Sequence, residues 1–444
     1  MALDGRRAAR FGYAPWVIQN SHRLDDVYEI SCFVLGAGSF GSVSLAVCRS
    51  TGAERVAKTV QRKGGMAQRQ LGGVLNEAEI MAQTDHPFVA KLFEVFREEE
   101  QLHMLLEMCV GGDLRQTLAA SGPLQVEKAS LVMAQVLYAA SYLHGLHIVH
   151  RDLKLENLLL LRTGTVEENI IKVADFGLSC RAEPGELLSL RVGTLRYSAP
   201  ELLAGRYGLQ CDVWSCGVCM YAILSGEFPF GGHRDEEVAA SIKRGNFMLT
   251  GPAWNVPEEA KVLVRNLLRH NPQERITAQA AAVSLRTSVE HFLPAPPSCT
   301  RLTELIQDFA TWSCKRRAVL DAIAWQSDAA KYAPLFLRLD ADCDGILSAA
   351  ELCDALCGNG AVDGGISLVQ PVTPLTFTDF VVLMSGESLF LQRHALRAAY
   401  RALDRDGDGI VSSADLEGVS GCGEGELIGM DFGAFLDEVR IIKL

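Results

Sequence analysis

Apolar positions along this chain change their period more than once. From Tyr28 they fall in short strand-like runs, Ile30 to Leu35, Val43 to Val47 and Arg55 to Val60, separated by glycines and polar residues. That pattern predicts a small antiparallel sheet. Val74, Leu75, Ala78 and Met81 then recur at helical spacing, and Leu102 to Leu106 reads as a further strand. From Leu124 onward helical patterns dominate, as in Ala129 to Leu143 and Glu258 to Leu268. A small mixed lobe followed by a larger helical lobe is the expectation. Residues 1–27 read as a polar arm of mixed charge. Pro294, Pro296 and Pro297 break the pattern. Beyond them one helix-like stretch carries Leu302, Leu305, Ile306, Phe309, Trp312, Val319, Leu320 and Ile323, with a basic cluster at Lys315-Arg316-Arg317. The expected units are an arm over 1–27, a bilobal α+β unit over 28–293, a junction over 294–330 and an all-helical unit over 331–444.

Composition narrows the class. A chain of 444 residues exceeds one ordinary core. Its 48% hydrophobic and 22% charged content fits a globular protein. No stretch approaches the roughly 18 uninterrupted apolar residues of a membrane span. The opening Met1-Ala2-Leu3-Asp4 has no apolar signal core and no glycine at position 2, so neither secretion nor N-myristoylation is expected. A cytoplasmic address follows as an expectation. The net charge of −12 argues against nonspecific nucleic-acid binding. The 13 cysteines show no regular framework and sit in apolar stretches such as that around Cys211, Cys216 and Cys219, as reduced thiols would.

The chemistry starts at Gly36-Ala37-Gly38-Ser39-Phe40-Gly41-Ser42-Val43. Glycines let backbone amides approach phosphate oxygens without a Cβ clash. The motif alone is weak, since dinucleotide-binding folds use it too, but here a strand-like run follows it rather than a helix. Lys58 stands in Val56-Ala57-Lys58, and Glu77 on the next expected helix. His150-Arg151-Asp152-Leu153-Lys154-Leu155-Glu156-Asn157 and Asp175-Phe176-Gly177 follow, then Gly193-Thr194 and Ala199-Pro200-Glu201.

With these motifs the chain resembles the protein kinase family over about residues 28–293. The resemblance implies that Lys58 holds the ATP α and β phosphates and pairs with Glu77. It makes Asp152 the catalytic base, Lys154 its partner, and Asn157 and Asp175 the Mg²⁺ ligands. Leu35, Gly36, Gly38, Gly41 and Val43 would cover the nucleotide. Leu106 would be the gatekeeper, and the backbones of Glu107 and Cys109 would bind adenine. Thr194 would bond the base and Lys154. Glu201 with Arg275 would form a buried structural ion pair, and Asp212 would brace the catalytic loop. Lys154 favours a serine/threonine enzyme, and Leu155 departs from the commoner proline. Asp113 and Glu156 match acidic positions that meet an arginine about three residues ahead of the target hydroxyl, unless they are merely solvated. Ser189 is either a phosphorylation site that meets Arg151 or an unmodified loop serine.

Two later segments carry a different chemistry. Asp340, Asp342, Asp344, Gly345, Ile346, Ser348 and Glu351 fill the ligand positions and the turn of an EF-hand loop over 340–351. Asp404, Asp406, Asp408, Gly409, Ile410, Ser412 and Asp415 do the same over 404–415. Asp415 replaces the usual glutamate with a side chain one methylene shorter, which predicts weaker Ca²⁺ binding there, or poorer discrimination against Mg²⁺, than in the first loop. EF-hands come in pairs, and Leu375 to Phe380 and Met430 to Phe435 resemble the ends of two degenerate loops. The first lacks ligands at Leu368, Gln370 and Val372, and the second carries Ala434 at its closing position. Pro334 falls in the helix entering the first loop, where it starts or kinks that helix.

The whole order is similar to that of the calcium-dependent protein kinases of plants and protists, with kinase, junction helix and four EF-hands. This resemblance implies that Phe309, Trp312, the basic cluster, Leu320 and Ile323 form an autoinhibitory junction that the EF-hands capture when Ca²⁺ binds. The same stripe also fits a helix packed permanently on the EF-hand domain. Two other functional readings stay open, a catalytically silent calcium-binding scaffold and a kinase whose rate ignores calcium.

Overall fold

The computed structural model describes residues 16–20, 23–38, 41–61, 68–312, 314–357, 374–385, 393–405, 408–412, 415 and 429–436. Its first lobe is built on a six-stranded sheet. In chain order come β1 (Ile18–Asn20), α1 (Leu24–Val27), β2 (Tyr28–Gly38), β3 (Gly41–Cys48), β4 (Glu54–Gln61), α2 (Gln68–Met81), β5 (Leu92–Arg97) and β6 (Gln101–Leu106). The strand order is β1-β5-β6-β4-β3-β2, antiparallel except for the parallel β1–β5 pair. The glycine-rich motif is the β2–β3 hairpin, with Gly36 opposite Val43 and Gly38 opposite Gly41. A Cβ on Gly41 would lie 1.9 Å from the Thr59 carbonyl oxygen of β4, so the close approach of the strands requires glycine there.

One expectation fails in this lobe. The described part of the 1–27 arm is not simply polar. Trp16, Ile18 and Leu24 are buried, and β1 extends the sheet along β5. The apolar residues over 16–24, Trp16, Val17, Ile18 and Leu24, form one short cluster and one distant position, which leaves no period to read. The pairing partner lies more than 70 residues away.

The second lobe is helical, as the sequence predicts. It contains α3 (Leu114–Ser121), α4 (Val126–Gly145), the short strands β7 (Ile148–Val149), β8 (Leu158–Leu160), β9 (Ile171–Val173) and β10 (Cys180–Arg181), then α5 (Pro200–Ala204), α6 (Gln210–Ser225), α7 (Asp235–Arg244), α8 (Glu258–Leu267) and α9 (Ala278–Val289). β7 pairs with β10 and β8 with β9, which fixes the ends of the catalytic loop between them. Asp113 caps α3 by accepting from the Gln116 amide at 2.8 Å, and Thr277 caps α9 through the Ala280 amide. α4 is buried from Ala129 to Leu143 and α6 from Cys211 to Ser225. Helices that are apolar all round form the centre of a lobe. Cys216 and Cys219 do stand at Cys-x-x-Cys spacing, yet both are fully buried within α6 and burial pushes their thiols up. They pack rather than react.

The junction forms two helices, α10 (Cys299–Thr311) and α11 (Cys314–Gln326), instead of one. Arg317 of α11 donates to the Phe309 carbonyl at 2.9 Å and its guanidinium stacks on the Phe309 ring, so the second helix closes the end of the first. Then come α12 (Ala333–Leu339), α13 (Ala349–Cys357), α14 (Phe377–Ser385) and α15 (Arg393–Leu403). Pro334 stands in the first turn of α12, where its missing N–H costs nothing, and so starts that short helix rather than kinking it. The loop over 340–351 is joined to Leu375 by reciprocal Leu347–Leu375 backbone bonds of 2.9 Å, and Val411 is joined to Met430 in the same way. These bridges pair each ligand-rich loop with a degenerate one. Leu368, Gln370 and Val372 lie outside the described residues. α11 packs along α14 and α15, and α10 against α13 and α14.

Candidate active site and calcium-type loops

β4 places Lys58 in the middle of the first lobe's sheet, opposite Val43 on one side and Met104 on the other. Its ammonium lies 2.7 Å from Glu77 Oε1 on α2 and 2.9 Å from Asp175 Oδ1. Burial pulls the Lys58 pKa down, but the two carboxylates outweigh it and raise it above the ordinary lysine value. Burial pushes Asp175 up, and Lys58 outweighs that to hold it below the usual carboxylate range. Both groups are therefore charged at neutral pH.

Asp152 is buried in the second lobe. Its Oδ1 accepts from the Thr194 amide at 2.9 Å and the Thr194 hydroxyl at 2.8 Å, while Oδ2 accepts from Lys154 Nζ at 2.5 Å. Lys154 also reaches the Thr194 hydroxyl at 3.2 Å. A Cβ on Gly193 would meet the Arg151 carbonyl oxygen at 2.4 Å, and its φ of +97° favours glycine, so the segment's approach to the catalytic loop depends on that residue. Asp212 braces the loop from α6, accepting from the amides of His150 and Arg151 at 2.8 Å each. Arg275 meets Glu201 through two bonds of 2.6 and 3.2 Å.

The remaining sites follow from these. Asn157 spends its amide nitrogen on the Asp152 carbonyl at 2.9 Å, which leaves its oxygen for a cation. Asp175 likewise commits Oδ1 to Lys58. One amide oxygen and one carboxylate oxygen fit Mg²⁺ bound chiefly through phosphate and water. At the linker between lobes, the Glu107 amide donates to the Lys91 carbonyl at 2.8 Å, and among the described residues the Cys109 backbone N–H and C=O make no hydrogen bond within the protein. Those two groups suit an adenine edge. Leu35 is 59% exposed on β2, consistent with a residue that closes over a ligand. Arg151 is engaged without a phosphate, donating to the Leu178 carbonyl at 2.5 Å and to the Tyr207 hydroxyl at 3.4 Å. Ser189 is exposed.

In the first loop, carboxylate oxygens of Asp340, Asp342 and Glu351 converge within 4.8 Å, which suits a hard cation such as Ca²⁺. Glu351 accepts from the Ala341, Asp342 and Ser348 amides at 2.6, 3.2 and 2.8 Å, folding its carboxylate across the loop. Asp344 Oδ1 accepts from the Ile346 amide at 2.8 Å. The second loop repeats the design. Asp415 accepts from Arg405 and Ser412 amides at 3.0 and 2.7 Å, Asp408 from Ile410 at 2.7 Å, and Asp404 from Gly409 at 3.1 Å. Asp406 lies outside the described residues. The loops differ in setting, for Asp340 is fully buried, whereas Asp408 and Ile410 are exposed.

Several contacts between the EF-hand part and the kinase lobes escaped sequence reasoning. Arg401 of α15 pairs with buried Glu94 of β5 at 2.9 Å, and the Thr378 amide and hydroxyl both donate to Asp85 at 3.0 Å. Tyr138 of α4 donates to Asp340. No local spacing marks residues that pair across 200 or more positions.

A protein kinase domain model matches residues 31–284. Calcium-dependent protein kinase 5 of Plasmodium falciparum (isolate 3D7) is 30% identical over 427 residues, covering 90% of this chain and 72% of the relative. Calcium-dependent protein kinase 3 of Plasmodium berghei (strain Anka) is 30% identical, covering 93% and 76%, and calcium-dependent protein kinase 11 of Oryza sativa subsp. japonica is 29% identical, covering 90% and 71%. The chain belongs to the protein kinase family and, within it, to the calcium-dependent protein kinases. It is a protein serine/threonine kinase. No helix among the described residues is long and apolar enough to cross a membrane.

Proposed function

We propose that this kinase transfers the ATP γ-phosphoryl group to serine or threonine and that Ca²⁺ on the EF-hand loops switches it on. The observation that carries the reading is a coincidence of two arrangements in one molecule. The Lys58–Glu77–Asp175 cluster is assembled, and the junction helices are packed on EF-hand helices. That is the combination expected of the active form. Asp152 orients the substrate hydroxyl and accepts its proton, and Lys154 steadies the charge that develops there. Asn157 and Asp175 would hold Mg²⁺, which offsets charge on the phosphate oxygens. Asp113 keeps one carboxylate oxygen outside its capping bond, and Glu156 is exposed beside the Tyr197 hydroxyl. Both can receive an arginine placed about three residues ahead of the target hydroxyl.

In the calcium-poor state the junction holds the kinase inactive, and the EF-hands capture it when they open. Moving such a switch from 1:99 to 99:1 takes about 5.5 kcal/mol of differential binding, or roughly 2.7 kcal/mol from each of two loops. The test is phosphate transfer to a peptide with an upstream arginine, in calcium and in EGTA, with Asp152→Ala as the blank. Activity equal in both buffers would leave a kinase without this regulation. Activity equal to the blank would leave a silent scaffold.

A further inference from the structure

We infer that Tyr138, a residue of the kinase lobe, is an outer-sphere hydrogen-bond donor to the first calcium-type loop, so that cation binding there and seating of the loop on α4 form one linked equilibrium. This rests on the reading of residues 340–351 as a cation site.

Tyr138 and Tyr142 lie one turn apart on α4, 0% and 4% exposed. A buried tyrosine hydroxyl needs a partner. The Tyr142 oxygen accepts the Asp85 amide at 2.9 Å, whereas the Tyr138 hydroxyl donates to Asp340 Oδ2. The Gly345 amide donates to the same oxygen at 2.7 Å. Asp340 Oδ2 is thus held from two sides, by its own loop and by the kinase. Oδ1 receives a longer 3.3 Å bond from the Asp344 amide, and the Asp340 carboxylate converges with those of Asp342 and Glu351. A carboxylate that binds a cation through one oxygen is oriented by what holds the other.

The rest of the loop is seated just as closely. A Cβ on Gly345 would lie 2.4 Å from the Tyr142 ring. Arg286 of α9 donates to the Asp340 carbonyl at 2.9 Å, and Gln279 of the same helix to the Asp342 carbonyl at 2.8 Å. In the second loop the matching glycine, Gly409, has open space where a Cβ would be. The tyrosine that reaches it there, Tyr400, comes from the EF-hand part itself and bonds the Gly409 carbonyl at 2.6 Å. Only the first loop is built against the catalytic domain in this way among the described residues. If seating orients Asp340 for the cation, the bound cation must by reciprocity favour seating.

The experiment uses the full chain carrying Asp415→Asn, so that calcium titrates mainly the first loop. Calorimetric titration with CaCl₂ compares Tyr138→Phe with Tyr138 intact. Phenylalanine keeps the ring and deletes the donor. The expected result is a Kd about tenfold higher, the usual worth of a hydrogen bond to a charged group. Tyr142→Phe keeps the ring against Gly345 and is expected to leave Kd unchanged. Gln279→Ala, at an exposed position, serves should Tyr138→Phe fail to fold, and is expected to weaken binding about twofold. Hydrogen exchange along α4 supplies the second readout, with protection by calcium displaced to higher calcium in Tyr138→Phe. Binding that ignores Tyr138 and Gln279 overturns the linkage alone. No calcium heat in the Asp415→Asn parent overturns the site reading beneath it.

Discussion

The Lys91 ammonium donates to the Trp325 carbonyl at 3.1 Å and lies 4.6 Å from the centre of the Trp325 indole ring. Lys91 belongs to the first lobe, and Trp325 lies in the last turn of the second junction helix. The backbone of Lys91 is paired with Glu107 in both directions, its carbonyl with the Glu107 amide and its amide with the Glu107 carboxylate. Lys172 adds a 2.9 Å contact to that carboxylate. The junction is therefore anchored directly behind the linker proposed to bind adenine.

Trp325 is 1% exposed, so Trp325→Ala should cost about 3 kcal/mol or more through the cavity it leaves. The expected outcome is an unfolding midpoint several degrees lower in calorimetry. An unchanged midpoint would show that the anchor contributes nothing to the docked form.

Thr194 bonds Asp152 Oδ1 through both its amide and its hydroxyl, and its hydroxyl also meets Lys154. Thr194→Val keeps the shape and the amide bond but removes the hydroxyl from the base. We expect kcat to fall about tenfold, equivalent to roughly 1.4 kcal/mol in the barrier, with the peptide KM little changed. Steady-state kinetics decide it. A loss confined to KM would place Thr194 in substrate binding instead.

Much of this arrangement was legible because it is local. Strand and helix periods located β3, β4, β6, α4 and α8 to within a few residues. The residues at the centre of the kinase site lie in short motifs whose spacing is set by one turn or one hairpin. Resemblance assigns Lys58, Glu77 and Asp175 to one site, and the structure brings Glu77 and Asp175 each within 2.9 Å of Lys58. What stayed hidden is what depends on long-range pairing. β1 is read only by knowing β5, and the break between α10 and α11 carries neither proline nor glycine. Tyr138, Asp85 and Glu94 have ordinary surroundings in the sequence, and their partners come from folding the EF-hand part back onto both lobes.

Asp85, Asp321 of α11 and Asp379 of α14 meet where kinase, junction and EF-hand part join, with Arg317 as the facing cation and Thr378 donating to Asp85. Burial, with Asp85 adding to it, pushes Asp379 up to about 6, and Asp321 is pushed well above its ordinary value by burial and by Asp379. An aspartate with a raised folded pKa binds its proton more tightly when folded. Its stabilising effect is complete below about pH 4 and is lost as pH rises through about 6. Asp379→Asn removes that ionisation and can still accept the Thr376 amide. The variant should therefore be more stable than the parent at pH 7.5, on the order of 1–2 kcal/mol, and no more stable near pH 4.5. Thermal melts at the two pH values test this, and a pH-independent difference would remove the carboxylates from the account.

The two cation loops should not carry equal weight. Glu351 and Asp415 make matching bonds to loop amides, so Asp415 is well placed despite its shorter side chain. It still offers less reach for gripping a cation with both oxygens. The setting sharpens the contrast, since the first loop is seated on α4 and α9 while Ile410 in the second is 45% exposed. On the proposed reading, a cation in the first loop would act on contacts with the catalytic domain, and one in the second through α15 and its Arg401–Glu94 pair. Glu351→Gln should accordingly abolish calcium activation more completely than Asp415→Asn, approaching the roughly hundredfold that one loop supplies in an evenly shared switch. Transfer rates for both variants across a calcium titration give the comparison, and equal losses would refute the ranking.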